Sequence, residues 1–139
     1  MKIMVCFNNS DESKAGLEEA KELAAAFNGE VLVVSSIVSD KRYYPKYIEP
    51  YEQSLKEAKA YFDENKIPCK TLISYRDFDM DSGEDLVDFA QKENVDKMVI
   101  GIRSRSRVGK LLLGSKAQRI LLSAHCPVIA VKKIDQSAQ

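Results

Sequence analysis

The residues best equipped for chemistry lie in one stretch, Gly101-Ile102-Arg103-Ser104-Arg105-Ser106-Arg107-Val108-Gly109-Lys110-Leu111-Leu112-Leu113-Gly114-Ser115. Gly101 closes a short apolar run and lets another group approach the main chain closely. Gly114-Ser115 opens a segment of helical periodicity, where the first N–H groups lack partners and the positive end of the helix dipole draws an anion. Between them Arg103, Arg105, Arg107 and Lys110 supply cations, and a guanidinium can grip a phosphate through two parallel hydrogen bonds. Glycine, cations and a helix start in this order point to an anion site. The same residues would also serve as a capped helix start behind a solvated basic loop.

Other reactive residue types offer less. His125 stands alone beside Cys126-Pro127, with no nucleophile arranged around it, and reads as structural or exposed. The alternation Asp77, Asp79, Asp81 lacks the glycine and distal glutamate of a calcium loop, so no metal is expected. No P-loop, GxSxG or HExxH motif occurs, and catalysis is not expected. Cys6, Cys69 and Cys126 are odd in number and contain no CxxC spacing, which fits reduced thiols in a core rather than a disulfide or zinc framework. Tyr43, Tyr44 and Tyr47 cluster in one connection, where they would pack an irregular loop or cover a ligand or partner.

The whole chain bounds these readings. At 139 residues it suits one domain spanning 1–139 with a sizeable core, and 45% hydrophobic with 30% charged residues is an ordinary globular balance. Lys+Arg and Asp+Glu both number 21, so there is no basic excess of the kind a general nucleic-acid binder carries. No apolar run reaches the roughly 20 residues that span a bilayer. The opening Met1–Phe7 run is too short for a signal core, so a cytoplasmic location is expected, with neither membrane nor nucleic acid as partner.

The elements that must position the anion site follow from periodicity. Lys2–Phe7 and Val31–Val38 are apolar runs of the buried-strand kind, and Cys69–Tyr75, Lys97–Ile102 and Pro127–Val131 read as three more strands. Ser10 can cap a first helix that carries Leu17, Ala20, Ala24 and Phe27 on one face and stops at Asn28-Gly29. A second helix is predicted from about Glu49 with Tyr51, Leu55, Ala58 and Phe62 inward, ended by Ile67-Pro68. Ser82 would cap a third, and a fourth would run from Ser115 to Ala124 after a long loop over Arg103–Leu113. The tail Ile134–Gln139 should fray. Strands alternating with helices make a doubly wound parallel α/β sheet covered on both faces. Ligands in such sheets sit outside the carboxyl ends of the strands, near Asn8, Ser36 and Gly101 here. Val128–Val131, last in the chain, should lie at a sheet edge, and pairing with its copy in a homodimer would cover it.

The segment beginning at Gly101 resembles the fingerprint of the universal stress protein family, in which Gly, two residues, Gly, nine residues, then Gly and Ser or Thr form a triphosphate-binding loop. Gly101 matches the first position and Gly114-Ser115 the last pair, while Ser104 replaces the middle glycine. Leu111-Leu112-Leu113, Ala117-Gln118-Arg119-Ile120-Leu121 and Cys126-Pro127-Val128 look like the family too, as does the opening strand, polar turn and helix. Nucleotide-binding members usually carry Asp at the end of the first strand, where this chain has Asn8; an amide keeps an acceptor oxygen and adds donors.

The resemblance implies a five-stranded parallel sheet in the order 3-2-1-4-5 and a homodimeric regulator of the stress response that binds ATP or AMP, with Mg possible beside ATP. By position it implies Asn8 near the adenosine and the main chain of Ser36 at the adenine. Gly101 would stand at the ribose and α-phosphate, with Ile100 beside it as a further cofactor-binding residue, and Gly114 and Ser115 would hold the terminal phosphates. Arg103 and Ser104 would be loop contacts, and Lys116 and Arg105 would either add to them or simply face water. The alternative is a dimeric interaction protein of the same family that has lost the nucleotide, which Asn8 and Ser104 favour. A nucleotide-dependent enzyme of a related adenylate-forming fold fits least.

Overall fold

The computed structural model describes residues 1–103 and 113–133. Its elements run β1 (Lys2–Cys6), α1 (Asp11–Phe27), β2 (Glu30–Val38), a 3₁₀ turn (Ser39–Tyr43), α2 (Pro45–Glu64), β3 (Cys69–Arg76), α3 (Ser82–Lys92), β4 (Lys97–Ile102), α4 (Ser115–Ser123) and β5 (Val128–Lys132). The five strands form one parallel sheet in the order β3-β2-β1-β4-β5, as expected.

Alternation along the central strands sends side chains to two separate cores. Ile3, Val5, Phe7, Val31, Val33 and Val99 face α1 and α2, where Leu17, Ala20, Ala24, Leu55, Ala58 and Phe62 meet them. Met4, Cys6, Leu32, Val34, Met98, Ile100 and Ile102 face α3 and α4, against Leu86, Ala90, Ala117 and Ile120. Both faces of β1 are thus covered, which is why its sequence is apolar throughout. The strand order reverses between β1 and β4, leaving a crevice beyond their carboxyl ends.

Helix boundaries follow local chemistry. The Ser10 hydroxyl caps α1 by accepting from Ser13 N at 3.2 Å, and Asn28 ends the helix in the left-handed region at φ 53°. Phe27, expected inward, is 56% exposed in the last turn beside that reversal. α2 starts at Pro45, four residues before the predicted Glu49, because proline at the first helical position needs no hydrogen bond for its missing N–H. The helix also runs through Pro50. The cap of α3 is Asp81 rather than Ser82: its Oδ1 accepts from Glu84 N at 2.8 Å, leaving Ser82 as the first helical residue. Cys6 and Cys69 are buried free thiols, and Cys126 is half-buried. The predicted loop lies mostly, and the predicted frayed tail wholly, outside the described residues.

Candidate functional site

A cleft of about 420 Å³ opens at the switch point, lined by residues from β1, the turn after it, α1, β4 and the start of α4. Three features of the sequence build it. β1 ends at Cys6, and the chain turns away through Asn8 and Asn9; the Asn8 side-chain oxygen accepts from Ser10 N at 3.1 Å, and Asn9 takes φ 65°. Gly101, at the end of β4, lets the first turn of α1 descend onto it: a Cβ there would lie 2.6 Å from Ser13 N and closer still to the Glu12 carbonyl. Gly114 then begins α4 opposite, with extended angles of φ −66° and ψ 163° and no side-chain hydrogen bond capping the helix.

The two helix starts at this cleft differ. α1 is capped by Ser10 and carries Asp11 and Glu12 in its first turn, so its donors and dipole are already answered. α4 has no acidic residue in its first turn, and no side chain among the described residues caps its leading N–H groups. A Cβ built at Gly114 meets nothing within 4 Å, so packing does not require glycine there.

Among the described residues, the charged side chains of the cleft are Glu12, Arg103 and Lys116. Arg103 Nε lies 3.0 Å from Glu12 Oε1; the glutamate side chain is 15% exposed and the arginine 52%. Burial pushes the Glu12 carboxyl up, but hydrogen bonds from its own backbone N–H, Arg103 and Ser10, with the Arg103 charge, outweigh it and hold the group below its ordinary value. Outside the cleft lining, in the same turn of α1, Asp11 is lowered by the hydrogen bond and charge of Lys133, whose Nζ is 2.9 Å from Asp11 Oδ2. On the floor, burial raises the Cys6 thiol to about 12, against a smaller lowering by Lys116. Cys6 is therefore a protonated wall of the cleft and no nucleophile.

Of the residues singled out in the sequence, Asn8, Ile100, Gly101, Arg103, Gly114 and Lys116 line this one cleft. Ser115 is exposed as the first residue of α4. Ser104 and Arg105 lie outside the described residues. Ser36 belongs to a different arrangement: its hydroxyl donates to Asp85 Oδ2 at 2.6 Å and accepts from Arg76 Nη1 at 2.9 Å. Its main chain is another matter. The Val34 carbonyl accepts from Phe7 N at 2.9 Å, so the peptide groups of Val34, and two residues on those of Ser36, point to the β1 side, where β1 has already ended.

Sequence reasoning missed Glu12 as a cleft residue. Its place near the strand ends could have been read from its position in the first turn of a helix that starts at the switch point, but its pairing with Arg103 could not. His125 is exposed in the turn before β5, and no group of metal-ligating side chains occurs among the described residues.

An open crevice at the strand reversal, with one helix start lacking a side-chain cap beside it, is the arrangement of a doubly wound α/β protein. The chain matches the universal stress protein family over residues 1–132, and it belongs to that family. A universal stress protein of Mycolicibacterium smegmatis is 30% identical over 130 residues, covering 94% of this chain and 96% of that one. The structure of a universal stress protein from Archaeoglobus fulgidus superposes with a TM-score of 0.82 at 28% identity, over 95% of this chain and 93% of that one. A universal stress protein from the same organism in complex with dAMP has a TM-score of 0.75 at 24% identity, over 94% of this chain and 96% of that one. No described helix is long and apolar enough to cross a membrane.

Proposed function

We propose that this protein is a cytoplasmic, homodimeric regulator of the stress response that binds an adenine nucleotide, AMP or ATP, and is not an enzyme. The observation that carries this reading is the uncapped start of α4 at Gly114, facing Gly101 across the cleft. Its volume of about 420 Å³ falls in the range of roughly 300–1,000 Å³ usual for small-molecule sites. The N–H groups after Gly114 and the Lys116 ammonium would take the phosphates. Gly101, whose peptide groups point to the β1 side because those of Met98 point to β5, would stand at the ribose and α-phosphate. The outward main chain of Ser36 and the Asn8 amide would meet the base and nucleoside. A family relative that binds dAMP supports the same ligand class. Any Mg would arrive with ATP, carried by the phosphates.

The second reading, a dimeric interaction protein without nucleotide, is favoured by the ion pair that already engages Arg103 within the cleft. Two measurements separate them. Protein purified without added ligand, denatured and analysed by mass spectrometry, is expected to release AMP or ATP, and millimolar ATP should raise the melting temperature. Gly114→Val should abolish both effects and leave the fold intact, since its Cβ meets open space. The absence of both a retained nucleotide and a thermal shift would establish the interaction-only reading, and full affinity in Gly114→Val would move the phosphate site elsewhere.

A further inference from the structure

Glu12 is a fixed negative charge inside a cleft otherwise suited to anions. Its carbonyl rests on Gly101, so the first turn of α1 cannot withdraw without opening the packing below. Its side chain is the buried member of the pair with Arg103, and Arg103 is the one with room to move. The Ser10 hydroxyl and a backbone N–H hold the carboxylate as well, and it stays ionised through the neutral range. The cleft therefore contains an acid that does two things to an entering anion. It repels the anion, and it occupies the arginine that would otherwise neutralise it. Both effects grow with the number of phosphate charges.

We propose that Glu12 is the specificity-determining residue of this cleft: by holding Arg103 and presenting its own carboxylate, it limits the anionic charge accepted and favours a monophosphate over a triphosphate. The proposal rests on the nucleotide reading above for its biological ligand, but the charge limit itself applies to any phosphate chain. A monophosphate needs only the α4 start and Lys116. A triphosphate must either draw Arg103 away from Glu12, which leaves the carboxylate unpaired beside its charges, or leave its extra charges without the arginine. Over several ångströms in a half-exposed cleft, removing one such charge is worth about tenfold in affinity for a ligand carrying two more negative charges.

The test uses the full chain, calorimetry and EDTA-containing buffer, so that no divalent cation masks the ligand charge. Inorganic phosphate, tripolyphosphate, AMP and ATP are titrated into wild type and Glu12→Gln. Glu12→Gln should bind tripolyphosphate and ATP about tenfold more tightly, with phosphate and AMP changed less than about threefold. Glu12→Ala, which removes the charge by truncation, must move the same way, and adding Arg103→Gln to Glu12→Gln should erase most of the gain. Equal changes for all four ligands, no change, or no polyphosphate binding by any variant would overturn the proposal. A gain for tripolyphosphate without binding of either nucleotide would leave the charge limit standing and sink the nucleotide reading. Equal AMP and ATP affinities in wild type and variant would do the reverse.

Discussion

Gly101 lies directly beneath the Glu12 carbonyl, so close that any side-chain carbon at Gly101 would overlap it and would sit 2.6 Å from Ser13 N. Strand β4 and the first turn of α1 are therefore in main-chain contact, and the glycine is required by the fold whatever ligand arrives. Gly101→Ala should push α1 outward at a cost of about 1–3 kcal/mol, the range for overpacking a filled site. Urea unfolding measures it. An alanine variant of wild-type stability would show that α1 does not rest on β4 as described.

Asp85 is 8% exposed at the start of α3 and accepts from two hydroxyls, Ser36 at 2.6 Å and Ser74 at 3.2 Å, while Arg76 reaches Ser36 at 2.9 Å and the Met80 carbonyl at 3.0 Å. This network ties the ends of β2 and β3 to α3 and the loop before it. Asp85→Ala leaves two half-buried hydroxyls without their acceptor and should cost about 2 kcal/mol. Ser74→Ala, which loses only the longer bond, should cost about 1 kcal/mol or less. The denaturant midpoint reads both, and the order Asp85→Ala above Ser74→Ala is the outcome that matters.

These two arrangements differ in how far the sequence announced them. The sheet was legible because β1, β2 and β4 are apolar on both faces and the helices between them repeat at helical spacing, and periodicity reports burial directly. The start of α4 was legible because Gly114-Ser115 is a local signal, read from two adjacent residues. Asp85 and Glu12 were not, because their meaning depends on partners 49 and 91 positions away, Ser36 and Arg103. An acid in the first turn of a helix is explained well enough by the macrodipole, and nothing in its neighbours says that a serine in a distant strand, or an arginine just past one, meets it. The shift from Ser82 to Asp81 as the cap of α3 has the same character: both residue types cap, and only Glu84 N, placed by the helix, chooses between them.

Cys6 gives the fold a dependence on alkaline pH. Burial raises its thiol from an ordinary 9.0 to about 12, so the folded state keeps a proton that the unfolded chain releases. The contribution is fully present below 9.0 and is lost as pH climbs from 9.0 towards 12. By about pH 10.5 the loss is roughly 2 kcal/mol. Cys6→Ala lacks this group and should show a shallower decline between pH 8 and pH 10.5 by that amount, even though its stability at pH 8 is lower for the lost packing. Parallel curves for the two proteins in urea would mean that the thiol is not desolvated. Native Cys6 should also resist alkylation at pH 8, where the more accessible Cys126 reacts first.

The outer edge of the sheet supplies the last prediction. Met98 N donates to the Pro127 carbonyl at 3.0 Å, and β5 is in register with β4 from Val128 opposite Met98 to Lys132 opposite Ile102. In a parallel ladder this sends the peptide groups of Pro127, Ile129 and Val131 towards β4 and those of Val128, Ala130 and Lys132 to the free edge. Ala130 is exposed there. In the homodimer proposed above, its N–H is one of the donors that a second copy of β5 would engage. Ala130→Pro removes that donor and spares the ladder to β4, since proline is tolerated on the solvent side of an edge strand. Light scattering at micromolar concentration should give twice the chain mass for wild type and the single mass for Ala130→Pro, with the helical circular dichroism of both unchanged. A wild type that is already monomeric would remove the dimer from the reading, and a variant that stays dimeric would place the contact on another surface.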